Sequence, residues 1–426
     1  MKKKTNLSRI VALLLAILLA SFTAVSCNRV QKLDGTALGG EDGYSKLELI
    51  DRLFNTYSLF GLDGDALMDA VLKGYIAGTG DKYAEYFTEE EYKQFTSDNK
   101  GESVGIGINV VQSADGDGID VINVMPDSPA LNAGLMPGDI ITHIGVGENK
   151  LSVKELGYTK ALDMMQGAEG TVADFTVSRT VDGSTEQIEF SVKREKITYV
   201  SVMSHICETD KSVGIVKITQ FNLTTPSQFS NAVDSLLAEG CDKFIFDVRY
   251  NPGGDLVSIK SVLSYFLNDG DVFIRIADKS GKIETDKVEA VNYSGNYKDC
   301  SIDKSDIGKY KDLKFAVLAN GSTASAAELF TSALKDYGLS VTVGTKTYGK
   351  GTMQTTFSLA PYGYGGALKL TTKYYYPPIS DSYDGIGIIP DREVELDEAL
   401  EGKNIYTITD AEDNQLQAAI EELYKK

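Results

Sequence analysis

The spacing of apolar residues changes character twice along the 426 residues of the chain. From Lys46 to about Phe95, apolar side chains recur three and four positions apart, which predicts short amphipathic helices. Residues 100–195 carry strand-like runs broken by turn residues, and Asp182-Gly183 marks one hairpin. From about residue 196, strand-like runs alternate with helical stretches, as in "KFIFDVR" followed by "LVSIKSVLSYFL". This alternation predicts an α/β layer structure with a largely parallel sheet.

Two strand-to-helix turns of the predicted sheet carry unusual residues, at the place where such sheets hold their active sites. They are "RYNPGGD", which begins at Arg249, and "NGSTASAAE", which follows Ala319. Within the second turn, Ser325 and Glu328 form a capping-box pattern, in which each side chain satisfies a free backbone N–H. A serine on a sharp turn before a helix is also a candidate nucleophile. These residues alone leave both interpretations open.

A nucleophilic serine needs a base, and the histidines of the chain are two, His143 and His205, neither within a triad signature. Lys350 is the other candidate, because a neutral lysine can replace histidine in this role. Its pKa would have to fall from about 10.4 to about 7, which burial can achieve. Gly349 and Gly351 on either side would let its backbone run close to another element. An ordinary surface lysine in a turn is the alternative.

A phosphate-binding role for Lys350 is a further hypothesis, since "VGTKTYGKGT" matches the template G-x-x-x-x-G-K-[ST] except at its last position. That position is Gly351, which lacks the hydroxyl that would bind magnesium. The residues that follow are rich in Thr, Gly and Pro and predict loop and strand, whereas a phosphate loop opens a helix. The sequence therefore disfavours nucleotide hydrolysis.

The N-terminus has the pattern of a targeting segment, in which basic residues precede the apolar run "IVALLLAILLASFTAV" and then Ser26-Cys27. The pattern resembles a bacterial lipoprotein signal, which implies that Cys27 is acylated and holds an extracytoplasmic protein at the membrane. A plain secretory signal and an uncleaved anchor are the alternatives. The polar, Gly-rich residues 27–44 that follow are typical of a flexible tether.

Composition narrows the list of partners and ligands. The chain has 42 basic and 61 acidic residues, a net charge of −19, which disfavours nucleic acid. Without Cys27, three scattered cysteines remain, which predicts buried free thiols and no disulfide framework. The acidic run from Asp115 to Asp120 lacks the closing glutamate of a calcium loop and predicts a hairpin tip. We therefore expect no metal and no cofactor.

Residues 100–195 resemble a PDZ domain, through "SVGIGI" and "DSPALNAGLMPGDIITHIG". In such a domain the backbone N–H groups of a Gly-rich loop bind a peptide carboxylate, and the adjoining strand edge pairs with the peptide. The resemblance assigns that loop to Val104, Gly105, Ile106 and Gly107. The alternative from the two glycines alone is a tight entry into a strand.

From Leu47 to about Ile420 the chain is similar to the carboxy-terminal processing peptidases, also called tail-specific proteases, through "TASAAE" and "YGKGTMQ". The resemblance implies that Ser325 is the nucleophile, that Lys350 is its base, and that the amide of Gln354 orients the lysine. It also implies an oxyanion hole formed by the N–H groups of Ala326 and of Gly254, which we favour over Gly253. Glu328 matches an acidic residue of the family, although capping would also explain it. Tyr250 departs from the pattern "RNNPGG".

These inferences predict an α/β protein, α+β overall, whose layered and mostly parallel protease core carries an inserted PDZ domain and terminal helical elements. The expected divisions are a signal peptide (1–26), a tether (27–44), a helical region (45–99), the PDZ domain (100–195), the protease core (196–400) and a C-terminal helix (401–426). The expected function is a membrane-tethered serine endopeptidase that captures the C-terminal tails of protein substrates. The resemblance also implies a homodimer as one oligomeric state. The alternatives are a non-catalytic scaffold that binds C-terminal peptides and a peptidase with His205 as base.

Overall fold

The computed structural model describes residues 41–61, 63–113, 116–181, 184–400, 405 and 408–425, which fall into two compact units. One unit runs up to Lys93 and takes in Gln354–Thr371, and the other comprises Gln94–Met353 and the chain from Thr372 onwards. The predicted signal peptide 1–26, Cys27 and the hairpin turn Asp182-Gly183 lie outside the described residues.

The N-terminal region forms the amphipathic helices that the sequence predicts: α1 (Glu41–Tyr57), α2 (Gly64–Ala77) and α3 (Glu89–Lys100). Helix α2 begins after Asp63, whose carboxylate accepts hydrogen bonds from two N–H groups of the first turn. Strand β1 (Glu85–Phe87) pairs with the first residues of β18 (Ala367–Tyr376), which also pairs with β17 (Thr352–Ser358). Several apolar side chains of α1 are exposed, including Leu49, Leu53 and Phe54.

The PDZ-like region is a sheet with short helices, as predicted. Its main sheet has the strand order β3-β4-β5-β7-β8, with β6 beside β5, while β2 and β9 pair as a separate ribbon. Its core consists mainly of isoleucine, valine and phenylalanine side chains, most of them from these strands. The elements are β2 (Glu102–Gly105), β3 (Ile108–Gln112), β4 (Ile119–Val124), α4 (Pro129–Asn132), β5 (Ile140–Ile144), β6 (Leu151–Ser152), α5 (Val153–Leu156), α6 (Tyr158–Met165), β7 (Val172–Val181), β8 (Ser184–Lys193) and β9 (Glu195–Thr198).

The predicted α/β region is confirmed as a six-stranded sheet of order β10-β11-β12-β15-β16-β19, parallel except at β10. The helices that follow its strands come where the alternation predicts them. The elements are β10 (Val202–Ile206), β11 (Val213–Ile218), α7 (Thr225–Ala238), β12 (Lys243–Asp247), α8 (Leu256–Ser264), β15 (Lys314–Ala319), α9 (Ala326–Asp336), β16 (Ser340–Gly344), β19 (Arg392–Glu393) and α10 (Asn414–Glu422).

Successive side chains of a strand point to opposite faces of the sheet, and packed layers bury both faces of this one. On one face, Phe244 and Phe246 of β12 join a cluster with apolar residues of α7, α8 and α9. On the other face, Ile245 packs in a cluster with Leu416 and Ile420, at the C-terminal helix α10. The sheet is therefore the middle layer of a three-layer core, and the carboxyl ends of β12 and β15 meet at one edge.

Several strands of the core region were not predicted from the sequence: β10, β18, β19, β13 (Val272–Ala277) and β14 (Ile283–Lys287). Strand β13 pairs antiparallel with β14 and with Tyr374–Tyr376 of β18. The remaining cysteines, Cys207, Cys241 and Cys300, are buried free thiols, as predicted. Within the described residues, no helix is long and apolar enough to cross a membrane.

Candidate active site

Ser325 occupies a strained turn between β15 and α9. Its backbone has φ 56° and ψ −120°, a conformation that a residue with a side chain rarely adopts. Such a turn costs about 1–3 kcal/mol and persists when its surroundings impose it. Ser325 is partly exposed, whereas Ala326 and Glu328 behind it are buried. The chain therefore presents a serine at the carboxyl edge of the sheet, on an elbow like those of known nucleophiles.

Glu328 connects the serine turn to the lysine loop. Its Oε2 accepts hydrogen bonds from the N–H of Ser325 at 2.9 Å and from the N–H of Lys350 at 2.8 Å. Its Oε1 accepts from the hydroxyl of Thr347 at 2.6 Å and from the N–H of Gly349 at 2.7 Å. The side chain is fully buried. The predicted capping box is present, but capping is one part of what Glu328 does.

The environment of Glu328 acts on its charge in two directions. Burial raises the pKa of Glu328, while the donors from Thr347, Lys350, Gly349 and Ser325 lower it. Four donors on two oxygens match the acceptor capacity of a carboxylate, which has no proton of its own to place. The four donors satisfy both loops at once and offset part of the effect of burial, and on balance the pKa of Glu328 lies above its usual value.

The glycines beside Lys350 allow a close approach of main chains, as the sequence predicts. A Cβ on Gly349 would lie 2.7 Å from the N atom of Gly387, and Gly349 has φ 88°. A Cβ on Gly351 would lie 2.8 Å from the Cβ of Asp384. Strand β17 follows the loop, as the sequence predicts. A phosphate loop opens a helix, so this strand also argues against phosphate binding at Lys350.

The loop "NPGG" after β12 lies against the serine turn. A Cβ built on Gly253 would be 2.7 Å from the Cβ of Ser325 and 2.8 Å from the N atom of Ala326. The N–H of Gly253 already donates to the Oδ1 of Asn251 at 2.8 Å. Among the described residues, the N–H groups of Gly254 and Ala326 find no acceptor. Two free backbone donors therefore flank the serine.

Further contacts tie the two turns to each other. The hydroxyl of Thr323 donates to the carbonyl of Val248 at 2.8 Å, and the N–H of Ala324 donates to the carbonyl of Asn251 at 2.9 Å. The side-chain amide of Asn251 also donates to the carbonyl of Ile218 at 2.8 Å. Because Asn251 is fully buried, its hydrogen bonds are shielded from water. The site is held by a continuous network from β11 to α9.

The structure thus brings together the backbones of Ser325 and Lys350, with Gly254 and Ala326 beside the serine. The pairing of the serine hydroxyl with the lysine amine stays a prediction. Gln354 lies on β17, where its Nε2 donates to the hydroxyl of Thr371 at 3.2 Å. Its predicted role in orienting Lys350 also stays a prediction.

His205 lies elsewhere in the sheet. It is on β10, and β11 and β12 separate that strand from β15, a lateral distance of about 14 Å at the usual strand spacing. Its Nε2 lies 3.0 Å and 3.1 Å from the carboxylate oxygens of Asp410. This arrangement gives His205 an acidic partner of its own and argues against a role as base for Ser325.

The predicted peptide-binding loop divides into two parts. Val104 and Gly105 belong to β2 and pair with β9. Ile106 and Gly107 follow it, and their N–H groups find no acceptor within the part of the chain that the structure describes. The next strand, β3, pairs with β4 alone among the described strands, so its other edge is open. An open edge beside free N–H groups is the arrangement that a peptide terminus requires.

Further residues that contribute to the site were not singled out from the sequence, among them Asn251, Asp384 and Tyr375. Asn251 fixes the glycine loop, Asp384 accepts the N–H of Gly351 at 2.8 Å, and the hydroxyl of Tyr375 donates to the carbonyl of Lys350. Asn251 stands next to Pro252 in the motif, and an asparagine that bonds the backbone two residues on is a common turn device. Nothing in the sequence signals Asp384 or Tyr375.

Comparisons with known proteins agree with this architecture. A family model described as peptidase family S41 matches residues 212–394, and a PDZ domain model matches residues 95–177. The chain is 31% identical over 361 residues to a "Probable CtpA-like serine protease" of Staphylococcus aureus (strain N315), covering 85% of this chain and 66% of that protein. It is 28% identical over 402 residues to a protein of the same description from Staphylococcus saprophyticus, covering 92% and 75%.

Among solved structures, a putative S41 protease from Bacteroides fragilis NCTC 9343 has a TM-score of 0.52 to this chain at 18% identity. The match covers 93% of this chain and 99% of that one, and it shows the likeness of the fold. The chain spans 66% of the length of the Staphylococcus aureus relative. The motifs, the two domain matches and these relatives lead to one conclusion: the chain belongs to peptidase family S41 and carries a PDZ domain.

Proposed function

We propose that this chain is a serine endopeptidase in which Ser325 and Lys350 form a catalytic dyad. The hydroxyl oxygen of Ser325 attacks a peptide carbonyl, Lys350 takes the hydroxyl proton and returns it to the leaving amine, and water hydrolyses the acyl-enzyme. One observation carries the proposal: a single oxygen of buried Glu328 accepts the N–H groups of both residues. The two backbone nitrogens can therefore be no farther apart than the sum of those two distances.

The oxyanion of the tetrahedral intermediate would bind the N–H groups of Gly254 and Ala326. Both are without an acceptor in the described part of the chain, whereas the N–H of Gly253 is taken by Asn251. This difference supports the choice of Gly254. Preorganised donors of this kind are worth about 3–4 kcal/mol each in the transition state. Gln354, on the strand that follows the lysine loop, would orient the amine of Lys350.

The PDZ domain would bind the C-terminal tail of a protein substrate. This proposal is supported by the N–H groups of Ile106 and Gly107, which have no acceptor among the described residues and lie beside the open edge of β3. Partly buried apolar side chains adjoin the domain core on β3 and on α6, including Ile108, Val110 and Leu162. A carboxylate would bind the N–H groups, and the tail would pair with β3 as an added strand.

The dyad is tested with four variants and a protein substrate that carries an exposed tail. Ser325→Ala and Lys350→Ala should each lower kcat by about a thousand-fold or more, since the nucleophile and its base act as one unit. Ser322→Ala and Lys346→Ala are matched controls, because both residues are exposed on the same two loops and should leave cleavage unchanged. Thermal unfolding should be nearly the same for all four.

Two outcomes would favour the alternatives. Binding of tail peptides without any cleavage by the wild-type chain would favour a non-catalytic scaffold. Full activity in Lys350→Ala together with loss in His205→Ala would assign the base to His205, against the pairing of that histidine with Asp410.

We also propose that the protein works outside the cytoplasm, held at the membrane through Cys27. The support is the basic and apolar segment that precedes this cysteine in the sequence. In cells given a labelled fatty acid, the wild-type protein should incorporate label and partition with membranes, and Cys27→Ser should do neither. Equal labelling of both proteins would contradict lipidation at this residue.

A further inference from the structure

Arg249 is the first residue of the loop that carries the proposed oxyanion donor, and its side chain is directed to the C-terminal segment. It is 3% exposed. Its guanidinium group has five N–H bonds, and the structure supplies five acceptors for them. These are Asp247 Oδ1 at 3.0 Å and Oδ2 at 2.8 Å, Asp413 Oδ1 at 3.1 Å and Oδ2 at 2.7 Å, and Gln415 Oε1 at 2.9 Å.

The acceptors from the C-terminal segment are as buried as the arginine. Asp413 is 4% exposed and Gln415 is 3% exposed. Asp413 also caps α10, because its Oδ1 accepts the N–H of Leu416 at 3.0 Å. Residues 164 and 166 positions away in the sequence thus complete the shell around Arg249.

Val248 and Asn251, on either side of Arg249 in the chain, hold the serine turn and the glycine loop. The carbonyl of Val248 accepts the hydroxyl of Thr323, two residues before Ser325. Asn251 accepts the N–H groups of Gly253 and of Ala324. A fixed guanidinium therefore sets the position of the short main-chain segment from which both loops are held. Movement of Arg249 would shift the donors relative to the serine.

We infer that Asp413 and Gln415 are positioning residues for the oxyanion hole, acting through Arg249, so that the C-terminal segment is part of the catalytic apparatus. The inference rests on the proposed function and adds to it a dependence on residues outside both family motifs. A general role in stability would lower the amount of folded protein. The inference predicts instead that the folded variants bind the transition state more weakly and so have a lower kcat.

Asp410 provides a matched control within the same segment. It lies three residues before Asp413 and is also buried, but its partners are His205 and the N–H of Glu208, on the far edge of the sheet. Asp410→Asn should loosen the attachment of the segment without altering Arg249. Asp413→Asn and Gln415→Leu alter Arg249 directly, and the second keeps the ion pair between Asp413 and Arg249.

The experiment compares wild type, Asp413→Asn, Gln415→Leu and Asp410→Asn on a tailed peptide. Asp413→Asn should lower kcat about ten-fold or more with KM within two-fold, since oxyanion donors act mainly in the transition state. Gln415→Leu should give a smaller loss of the same kind, and Asp410→Asn should leave kcat unchanged. Thermal unfolding separates these effects from a loss of folded protein.

A peptide aldehyde supplies a second readout. The hydroxyl of Ser325 adds across its C=O bond, the proton passes to Lys350 or to the new alkoxide, and the resulting hemiacetal oxygen occupies the oxyanion position. Asp413→Asn should bind the aldehyde about ten-fold more weakly while binding the product acid of the same sequence as tightly as wild type. Asp410→Asn should bind both normally.

The outcomes distinguish the inference from the function on which it rests. A wild-type chain that neither cleaves the peptide nor binds the aldehyde would overturn the proposed function. A wild-type chain that does both, with Asp413→Asn and Gln415→Leu folded and equally active, would overturn the inference alone. If Asp413→Asn does not fold, the result for Gln415→Leu is used alone. An unchanged kcat and an unchanged aldehyde affinity in that variant would refute the inference. Equal losses of kcat in Asp410→Asn and Asp413→Asn would also refute it, because general docking of the segment would then suffice.

Discussion

Two places in this chain each present a pair of backbone N–H groups without an acceptor among the described residues, and the loops at these places are built differently. In the peptidase core the pair is Gly254 and Ala326, and in the PDZ domain it is Ile106 and Gly107. The core loop is held by the fully buried side chain of Asn251. The PDZ loop is held through its own carbonyls, which accept the N–H groups of Ala130 at 2.8 Å and Met125 at 2.9 Å.

The difference corresponds to what each loop is proposed to bind. An oxyanion exists in the transition state, so its donors lower the barrier if they are already in place and need no rearrangement. A tail carboxylate is present in the ground state, and a loop that adjusts on binding loses affinity without losing catalytic rate. The buried side chains around the core loop are therefore expected to control kcat, and the PDZ loop is expected to control KM.

The larger of the two effects that this contrast predicts comes from removing the side chain that fixes the core loop. Asn251→Ala leaves the N–H of Gly253 and the carbonyl of Ile218 without their partner, which costs about 1–3 kcal/mol of stability. Backbone hydrogen bonds to Phe221 still hold the loop, but the N–H of Gly253 loses its fixed acceptor and Gly254 can shift. The kcat should therefore fall about 10- to 100-fold with KM little changed. Steady-state kinetics on a tailed peptide and chemical unfolding measure the two effects.

Tyr310→Phe is the control for this prediction. Tyr310 is buried in the same core, and its hydroxyl donates to the carbonyl of Ser230 at 3.1 Å and to the carboxylate of Asp234 at 2.9 Å, both on α7. It should lose comparable stability and keep its kcat. A kcat that falls equally in both variants would mean that the loss follows from weaker folding and not from the position of Gly254.

The order of helices and strands in the core could be predicted because each buried strand is a continuous apolar run and each helix has a separate apolar face. Strand β14 could not, because its residues "IETDK" are mostly polar and exposed, so hydrophobicity does not indicate a strand there. Its partner β13, "VFIRIA", is apolar enough for a strand, but its sequence does not show which strands it joins. Pairing with β18, about a hundred residues later, is a property of the fold.

The site shows the same division between local and distant information. The motifs around Ser325 and Lys350 are local, and so is the capping pattern that pointed to Glu328. The contacts that complete the site are not: Asp384 approaches Gly351 from 33 positions away, and Asp413 approaches Arg249 from 164. No periodicity or motif encodes such a contact, because it depends on how finished elements pack.

The smaller expected effect tests the PDZ loop through the substrate and needs no variant of the protein. Converting the terminal carboxylate of a tail peptide to a carboxamide removes the charge that the N–H groups of Ile106 and Gly107 are proposed to bind. Hydrogen bonds to a charged group contribute about 1.5–3 kcal/mol, so KM should rise about ten-fold or more. The kcat should stay unchanged, because the scissile bond still meets the same core loop.

A peptide too short to reach the PDZ domain is the control, and its amidation should have no effect. If amidation changes kcat, or leaves KM unchanged for the long peptide, then the free N–H groups of the PDZ loop do not bind the tail, and the contrast between the two loops is wrong.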